Sequence, residues 1–276
     1  MSKIETHILN IDRPEIPPKN DGVKRVLLFS DLHIGVFPRL SQMLNKRALG
    51  AFNHFFRRRN RLRAENISRL AELRPQINPD VTICDGDLGS VGLPEEFERA
   101  MEMLAPFIGD SFFYVPGNHD AYVRGSMPCV KNAIERLNDG RWNPEKAVIS
   151  LNCNELQLTL INAARPMAYH LSCGVIDSRM QEELSGISRD GSLASLAVCH
   201  FPAIEKDGSL VGWRHGLRGA SFMREMLTGG RFDAILSGHT HKPYIFTFPD
   251  GGTQVCSGSL TLHGSFAVCD IHNYHV

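Results

Sequence analysis

Val26-Leu27-Leu28-Phe29-Ser30-Asp31-Leu32-His33 is an apolar run that stops at a carboxylate and, two positions later, an imidazole. The run is short, branched and aromatic, so it reads as a buried strand with the polar pair at its carboxyl end. The same grammar recurs along the chain. Val81 to Cys84 leads to Gly86-Asp87, Phe112 to Val115 to Gly117-Asn118-His119-Asp120, Leu193 to Cys199 to His200, and Ala234 to Leu236 to Gly238-His239-Thr240-His241. Ligands of open α/β sheets gather beyond the carboxyl ends of the strands. Five such blocks are therefore expected to meet at one rim, and a spacing of two in extended chain would put Asp31 with His33, and His239 with His241, on one side.

Between these strands the pattern turns helical. Helices are expected over much of Leu40 to Leu73 and over Pro94 to Leu104, Lys131 to Asn138, Arg179 to Leu184 and Ala220 to Leu227. Leu156 to Ile161 reads as a further strand, Tyr244 to Phe248 and Thr253 to Cys256 as a hairpin about Pro249-Asp250-Gly251-Gly252, and Phe266 to Ile271 as a closing strand. Alternation of this kind defines an α/β protein.

The 276 residues are enough for one large domain. Residues 1–24 are polar, contain Pro14, Pro17 and Pro18, and lack the apolar stretch of a secretory signal. They read as a flexible arm before a single domain at 25–276. With no window of membrane-spanning length, the expected location is the cytoplasm. Seven cysteines, odd in number and without a Cys-x-x-Cys pair, read as reduced thiols. Cys199 would point away from the side that His200 faces in a strand.

Thirty basic residues balance thirty acidic ones, yet Arg39 to Glu65 holds eight basic residues and one acid. The balance is an average over a polarised chain.

Carboxylate, amide oxygen and imidazole are the ligands that divalent cations of intermediate hardness accept. Gly86, Gly117 and Gly238 each precede one of these groups, where a missing Cβ allows close approach. Asp-x-His or Gly-Asp alone is common, whereas Gly-Asn-His-Asp and Gly-His-Thr-His in this order are specific. On these five blocks, spanning Asp31 to His241, the chain resembles the calcineurin-like metallophosphoesterases.

That resemblance implies a four-layer α/β/β/α sandwich of two mixed β-sheets flanked by helices, with two divalent metal ions, manganese, iron, zinc or similar. It implies that Asp31, His33 and His241 hold one metal, that Asn118, His200 and His239 hold the other, and that Asp87 bridges them. A hydroxide shared by the metals would then attack phosphorus in line. His119 would serve the leaving group, with Asp120 fixing its tautomer. Asp85 is expected to orient the loop rather than to bind metal.

The 53 residues between His33 and Asp87 form a basic helical insert at about 38–74. Leu40, Met43, Leu44, Ala48, Phe52, Phe55 and Phe56 recur at helical spacing, with Gly50 as an expected break. Arg57, Arg58 and Arg59 are candidate phosphate contacts, and the phenylalanines a candidate apolar wall. The insert is similar to those of bacterial members related to UDP-2,3-diacylglucosamine hydrolases. This implies a lipid-linked or amphiphilic phosphodiester or pyrophosphate substrate, and contact with the inner face of the membrane.

Cyclic nucleotide phosphodiesterases carry the same five blocks and are the main alternative. A purine would need an aromatic surface such as Phe37, Tyr122, Trp213 or Tyr244. A nuclease is disfavoured because the remainder of the chain is acidic. A scaffold without catalysis is disfavoured because every ligand position is filled.

Overall fold

Two apolar runs, β2 (Lys24–Phe29) and β3 (Val81–Cys84), pair in parallel, with Val26 opposite Val81 and Phe29 opposite Cys84. The computed structural model describes residues 3–39, 42, 46–53, 59–249 and 251–272, with the side chains of 51, 53 and 59 left out. Strand β4 (Phe112–Tyr114) extends the parallel set, β13 (Ser265–His272) joins antiparallel to β2, and β1 (Lys3–Asn10) closes the edge, giving the order β1-β13-β2-β3-β4. The second sheet contains β5 (Val148–Cys153), β6 (Leu156–Ile161), β8 (Ala194–Val198), β10 (Ala234–Ser237), β11 (Tyr244–Thr247) and β12 (Thr253–Cys256). Its order is β11-β12-β10-β8-β6-β5, parallel through the middle and antiparallel at both edges. The short β7 (Gly174–Val175) and β9 (Leu217–Arg218) make a parallel ribbon of their own.

Burial explains the pattern. The central parallel strands β3, β8 and β10 are buried at every residue, whereas edge strand β5 alternates. Residues of both sheets, among them Leu28, Ile83, Phe113, Leu158, Leu196 and Leu236, belong to one hydrophobic core. The helices are α1 (Arg47–Asn53), α2 (Glu65–Ile77), α3 (Pro94–Leu104), α4 (Met127–Leu137), α5 (Ser178–Ser185), α6 (Ala220–Thr228) and the single turn α7 (Leu260–His263). The architecture is the expected one of two mixed sheets flanked by helices.

Two expectations change. The stretch expected to be a flexible arm carries an eight-residue strand, because Ile4, Thr6 and Ile8 alternate with Lys3, Glu5 and His7 and pair in register with β13. The prolines that suggested disorder are held by Arg25, which donates to the Pro17 and Pro18 carbonyls while pairing with both oxygens of Asp270 at 2.6 Å. Gly50, expected to break the insert, lies within α1. A Cβ there would strike the Tyr122 ring and Val91, so this glycine lets the helix lie directly on them.

The Arg25–Asp270 pair is almost fully buried. Removing one partner of such a pair strands the other charge and costs about 3–5 kcal/mol. Arg25→Ala should lower unfolding stability by that order in urea melts, while Arg136→Ala, which removes an exposed pair with Glu98, should change it by about 0–1 kcal/mol. Similar losses for both would contradict this view of Arg25.

Candidate metal centre

The five blocks do meet, at the carboxyl ends of β2, β3, β4, β8 and β10. A single parallel bridge between Ser30 and Ser259, beyond the ends of β2 and β12, stitches the two sheets together there. Ser259 and Thr261 each donate a hydroxyl to the Asp31 carbonyl, so α7 carries the seam into the site.

Asp31 and Asp87 each have one oxygen held and one left over. Asp31 Oδ2 accepts from the Ser30 hydroxyl at 2.5 Å and from His239 N–H at 3.0 Å, whereas its Oδ1 is buried without a hydrogen bond. Asp87 Oδ1 accepts from His119 N–H at 2.7 Å, and its Oδ2 is likewise buried without one. Asn118 Oδ1 and His200 Nε2 complete a set of orphaned polar atoms. His200 Nε2 lies 3.4 Å from Asp87 Oδ2, and His241 Nε2 lies 3.2 Å from Asp31 Oδ1. His33 Nε2 is 3.5 Å from Asp31 Oδ1 and 3.0 Å from His241 Nε2. Ligand atoms of Asp31, His33, Asp87 and His241 all lie within 4.8 Å of one another. Buried oxygens without donors are costly unless a cation takes them up, and this donor set fits divalent ions.

Backbone contacts settle which imidazole nitrogens are available, since a carbonyl can only accept. His200 donates Nδ1–H to the Asp85 carbonyl at 2.6 Å, leaving Nε2 toward Asp87. His239 donates Nε2–H to the His215 carbonyl at 2.6 Å, leaving Nδ1. His119 donates Nδ1–H to the Ser90 carbonyl at 2.6 Å, which fixes the proton of the neutral ring on Nδ1.

The electrostatics follow from burial and crowding. Burial alone would raise Asp31, but His241, His33 and His200 hold it well below the usual carboxylate range. Burial would lower His200, yet Asp87, Asp31 and Asp85 carry it well above an ordinary imidazole. Enclosure and the neighbouring His200 push His239 down to about 4. Asp85 is fully buried, neither carboxylate oxygen has a hydrogen bond, and burial lifts it well above the carboxylate range. It acts through its backbone carbonyl on His200, in line with the expected orienting role.

The role expected for Asp120 is corrected. Its oxygens accept from the N–H groups of Asp87, Leu88, Gly89 and Gly117 and from the Tyr114 hydroxyl. It ties the loop of Asp87 to the loop of Asn118, while the Ser90 carbonyl takes the contact with His119 Nδ1. Carboxylates a few positions past a strand end commonly organise turns, and that competing use was not visible in the motif.

The spacing-of-two argument is also corrected. Asp31, His33, Asp87, His239 and His241 all have left-handed backbone, with φ from 47° to 68°. They do not line one side of an extended segment. Gly117 permits the close approach, because a Cβ there would collide with Asp87 Oδ1.

Among the candidate substrate arginines, Arg57 and Arg58 lie outside the described residues, as does the Arg59 side chain. Arg47 turns inward, donating to the Val91 and Gly92 carbonyls and to Ser126 Oγ. Lys46 Nζ sits 4.3 Å above the Tyr122 ring, which in turn stacks on His119 with centroids 5.7 Å apart. The insert thus reaches the site through Tyr122. Ser30, Ser90, Tyr114, Ser259 and Thr261 were missed from the sequence; only Ser30 and Ser90, lying in or beside the first two blocks, carried any signal there.

All seven cysteines are unpaired, five of them buried. No helix among the described residues is long and apolar enough to cross a membrane.

Fold and donor cluster together are those of a metallophosphoesterase domain. The chain belongs to the calcineurin-like phosphoesterase family, whose model matches residues 24–243. Members of this family use a dinuclear divalent metal centre, and the cluster about Asp87 is where this chain could hold it. A cAMP/cGMP dual specificity phosphodiesterase of Mycobacterium tuberculosis is 25% identical over 205 residues, 69% of this chain and 59% of that enzyme. The aligned part thus spans under two thirds of the mycobacterial enzyme. A protein of Pseudoalteromonas described as a probable cyclic nucleotide phosphodiesterase is 24% identical over 213 residues, 72% of this chain and 73% of its own length. Among solved structures, a dimetal phosphatase from Danio rerio superposes with a TM-score of 0.57 at 12% identity, covering 90% of this chain and 92% of that one. At that identity the likeness speaks for the fold alone.

The buried carboxylate of Glu96 braces the loop that presents Ser90. It accepts from the N–H groups of Ser90, Val91 and Leu93, and burial pushes it up to about 7 from an ordinary 4.5. Between those values the folded chain keeps a proton that the unfolded chain releases, so this group's contribution to stability falls as pH rises through the window. Glu96→Gln, which does not titrate, should gain thermal stability relative to the parent between pH 5 and pH 8 in metal-free melts. A pH-independent difference would contradict it.

Proposed function

We propose that the chain hydrolyses cyclic nucleotides at this centre, opening a phosphodiester bond. The observation that carries the hydrolytic part is the convergence of Asp31, His33, Asp87 and His241, whose ligand atoms lie within 4.8 Å of one another, with Asp31 Oδ1 and Asp87 Oδ2 buried without a hydrogen bond. The substrate class is supported by the two relatives described as cyclic nucleotide phosphodiesterases.

In this reading Asp31, His33 and His241 would hold one cation, Asn118, His200 and His239 the second, and Asp87 would serve both. Bound cations supply Lewis acidity toward phosphoryl oxygens and make water acidic near neutral pH. The chain's own residues do the rest. Asp31 and Asp87 keep one oxygen fixed by hydrogen bonds so that the other is already aimed, which removes reorganisation from the reaction. His119, its Nδ1–H held by Ser90, gives a proton from Nε2 to the departing ribose oxygen. Asp120 holds the Asp87 and Asn118 loops in register.

A second reading, an amphiphilic phosphodiester or pyrophosphate such as a UDP-linked acylated sugar, is favoured by Phe37 and Phe52. These are 65% and 50% exposed, Phe52 within α1 of the insert. Arg57, Arg58 and Arg59 would be its phosphate contacts, and the inner membrane face its source.

Metal-reconstituted protein should turn over cyclic AMP with a higher kcat/KM than the acylated sugar nucleotide. The opposite preference would establish the second reading. Asp87→Ala should abolish activity and metal binding together, whereas His119→Ala should keep its metal and lose about 10²–10⁴ in kcat. Equal metal loss in both variants, measured by elemental analysis, would rule out His119 as the proton donor to the leaving group.

A further inference from the structure

The chain has two tryptophans, and they are placed oppositely. Trp142 is fully buried with its indole N–H donated to the Lys146 carbonyl, whereas Trp213 is 57% exposed. Holding an indole in water forgoes the burial of the largest apolar side chain. Trp213 nevertheless sits on an anchored segment. Arg214 accepts from Ser172 N–H and Gly216 from Gly174 N–H, both at the start of the β7–β9 ribbon.

That segment touches the metal centre. The His215 carbonyl receives His239 Nε2–H at 2.6 Å, so Trp213 is two residues from the contact, within about 8 Å along the chain. The Arg214 and Arg218 guanidinium carbons lie 5.1 and 5.5 Å from the indole centroid. Arg218 Nε is buried without a hydrogen-bond partner among the described residues. An aromatic face at the mouth of a phosphoesterase site, flanked by two cations, is suited to a flat, electron-rich heterocycle that carries a negative charge. An acyl chain would instead require continuous apolar lining, which two guanidinium groups interrupt.

We infer that Trp213, with Arg214 and Arg218 beside it, is the nucleobase platform of this enzyme and sets its preference for nucleotide over simple phosphodiesters. The inference rests on the nucleotide reading above. A base stacks on the exposed indole face, and the guanidinium groups favour the charge of the attached phosphate. Trp213 is a specificity residue: it touches the base and leaves the reacting bond to the metal ligands and His119.

Because Trp142 is buried, quenching of tryptophan fluorescence in the metal-loaded protein reports chiefly on Trp213. Adenosine 5′-monophosphate should quench it and ribose 5-phosphate should not. Trp213→Ala should raise the KM for cyclic AMP at least about fivefold, the lower end of what one stacked base contributes, with little change in kcat. Trp213→Phe should recover most of the loss. Absence of quenching together with an unaltered KM in Trp213→Ala would overturn the platform and leave cyclic nucleotide hydrolysis standing. Equal quenching by both ligands would also overturn it, in favour of a sugar-phosphate contact. Quenching by the nucleotide without turnover of cyclic AMP would uphold the platform and overturn the cyclic substrate.

Discussion

The structure depends on a demand for positive charge at the seam between its sheets. Asp31 and Asp87 are fully buried, and each commits one oxygen to hydrogen bonds while the other meets no donor. Ionised oxygens buried this way are stable only beside cations. Without metal the local imidazoles take that part, which is why His200 is driven well above its ordinary pKa. In the proposed arrangement a cation at His200 Nε2 would take the place of a proton there, which would link folding, protonation and metal affinity.

Much of the surrounding architecture serves to hold that frustrated arrangement. Five residues of the cleft, Asp31, His33, Asp87, His239 and His241, adopt left-handed backbone, a conformation that costs a non-glycine residue about 1–3 kcal/mol. The cost is sustained because the loops are gripped from several sides. Asp120 gathers four backbone N–H groups, α7 binds the Asp31 carbonyl through Ser259 and Thr261, and Glu96 fixes the turn that carries Ser90. The two sheets provide rigid strand ends, and five of the nine non-glycine residues with left-handed backbone among the described residues fall in this cluster.

The central strands were legible because full burial writes unbroken apolar runs, as in Val26 to Phe29 and Ala234 to Leu236. The cluster of Asp31, His33, Asp87 and His241 was legible because carboxylate and imidazole recur just past those runs. What escaped was whatever depends on contacts between distant segments. Strand β1 owes its existence to β13, at the other end of the chain, and its weak alternation was outweighed by the nearby prolines. The function of Gly50 lies in Tyr122, and the partners of Asp120 lie in separate loops. Left-handed backbone at Asp31 and His33 leaves no mark in composition, because neither residue is the glycine that usually signals it.

Whether Asp87 lies between two cations can be seen by anomalous diffraction from crystals of the manganese-loaded protein. Two peaks should appear about 3.5–4 Å apart on either side of Asp87 Oδ2, the spacing of two-metal sites. One should stand beside Asp31, His33 and His241 and the other beside Asn118, His200 and His239. A single peak at full occupancy, with Asn118 and His200 turned away from it, would make the centre mononuclear and leave Asp87 without a bridging role.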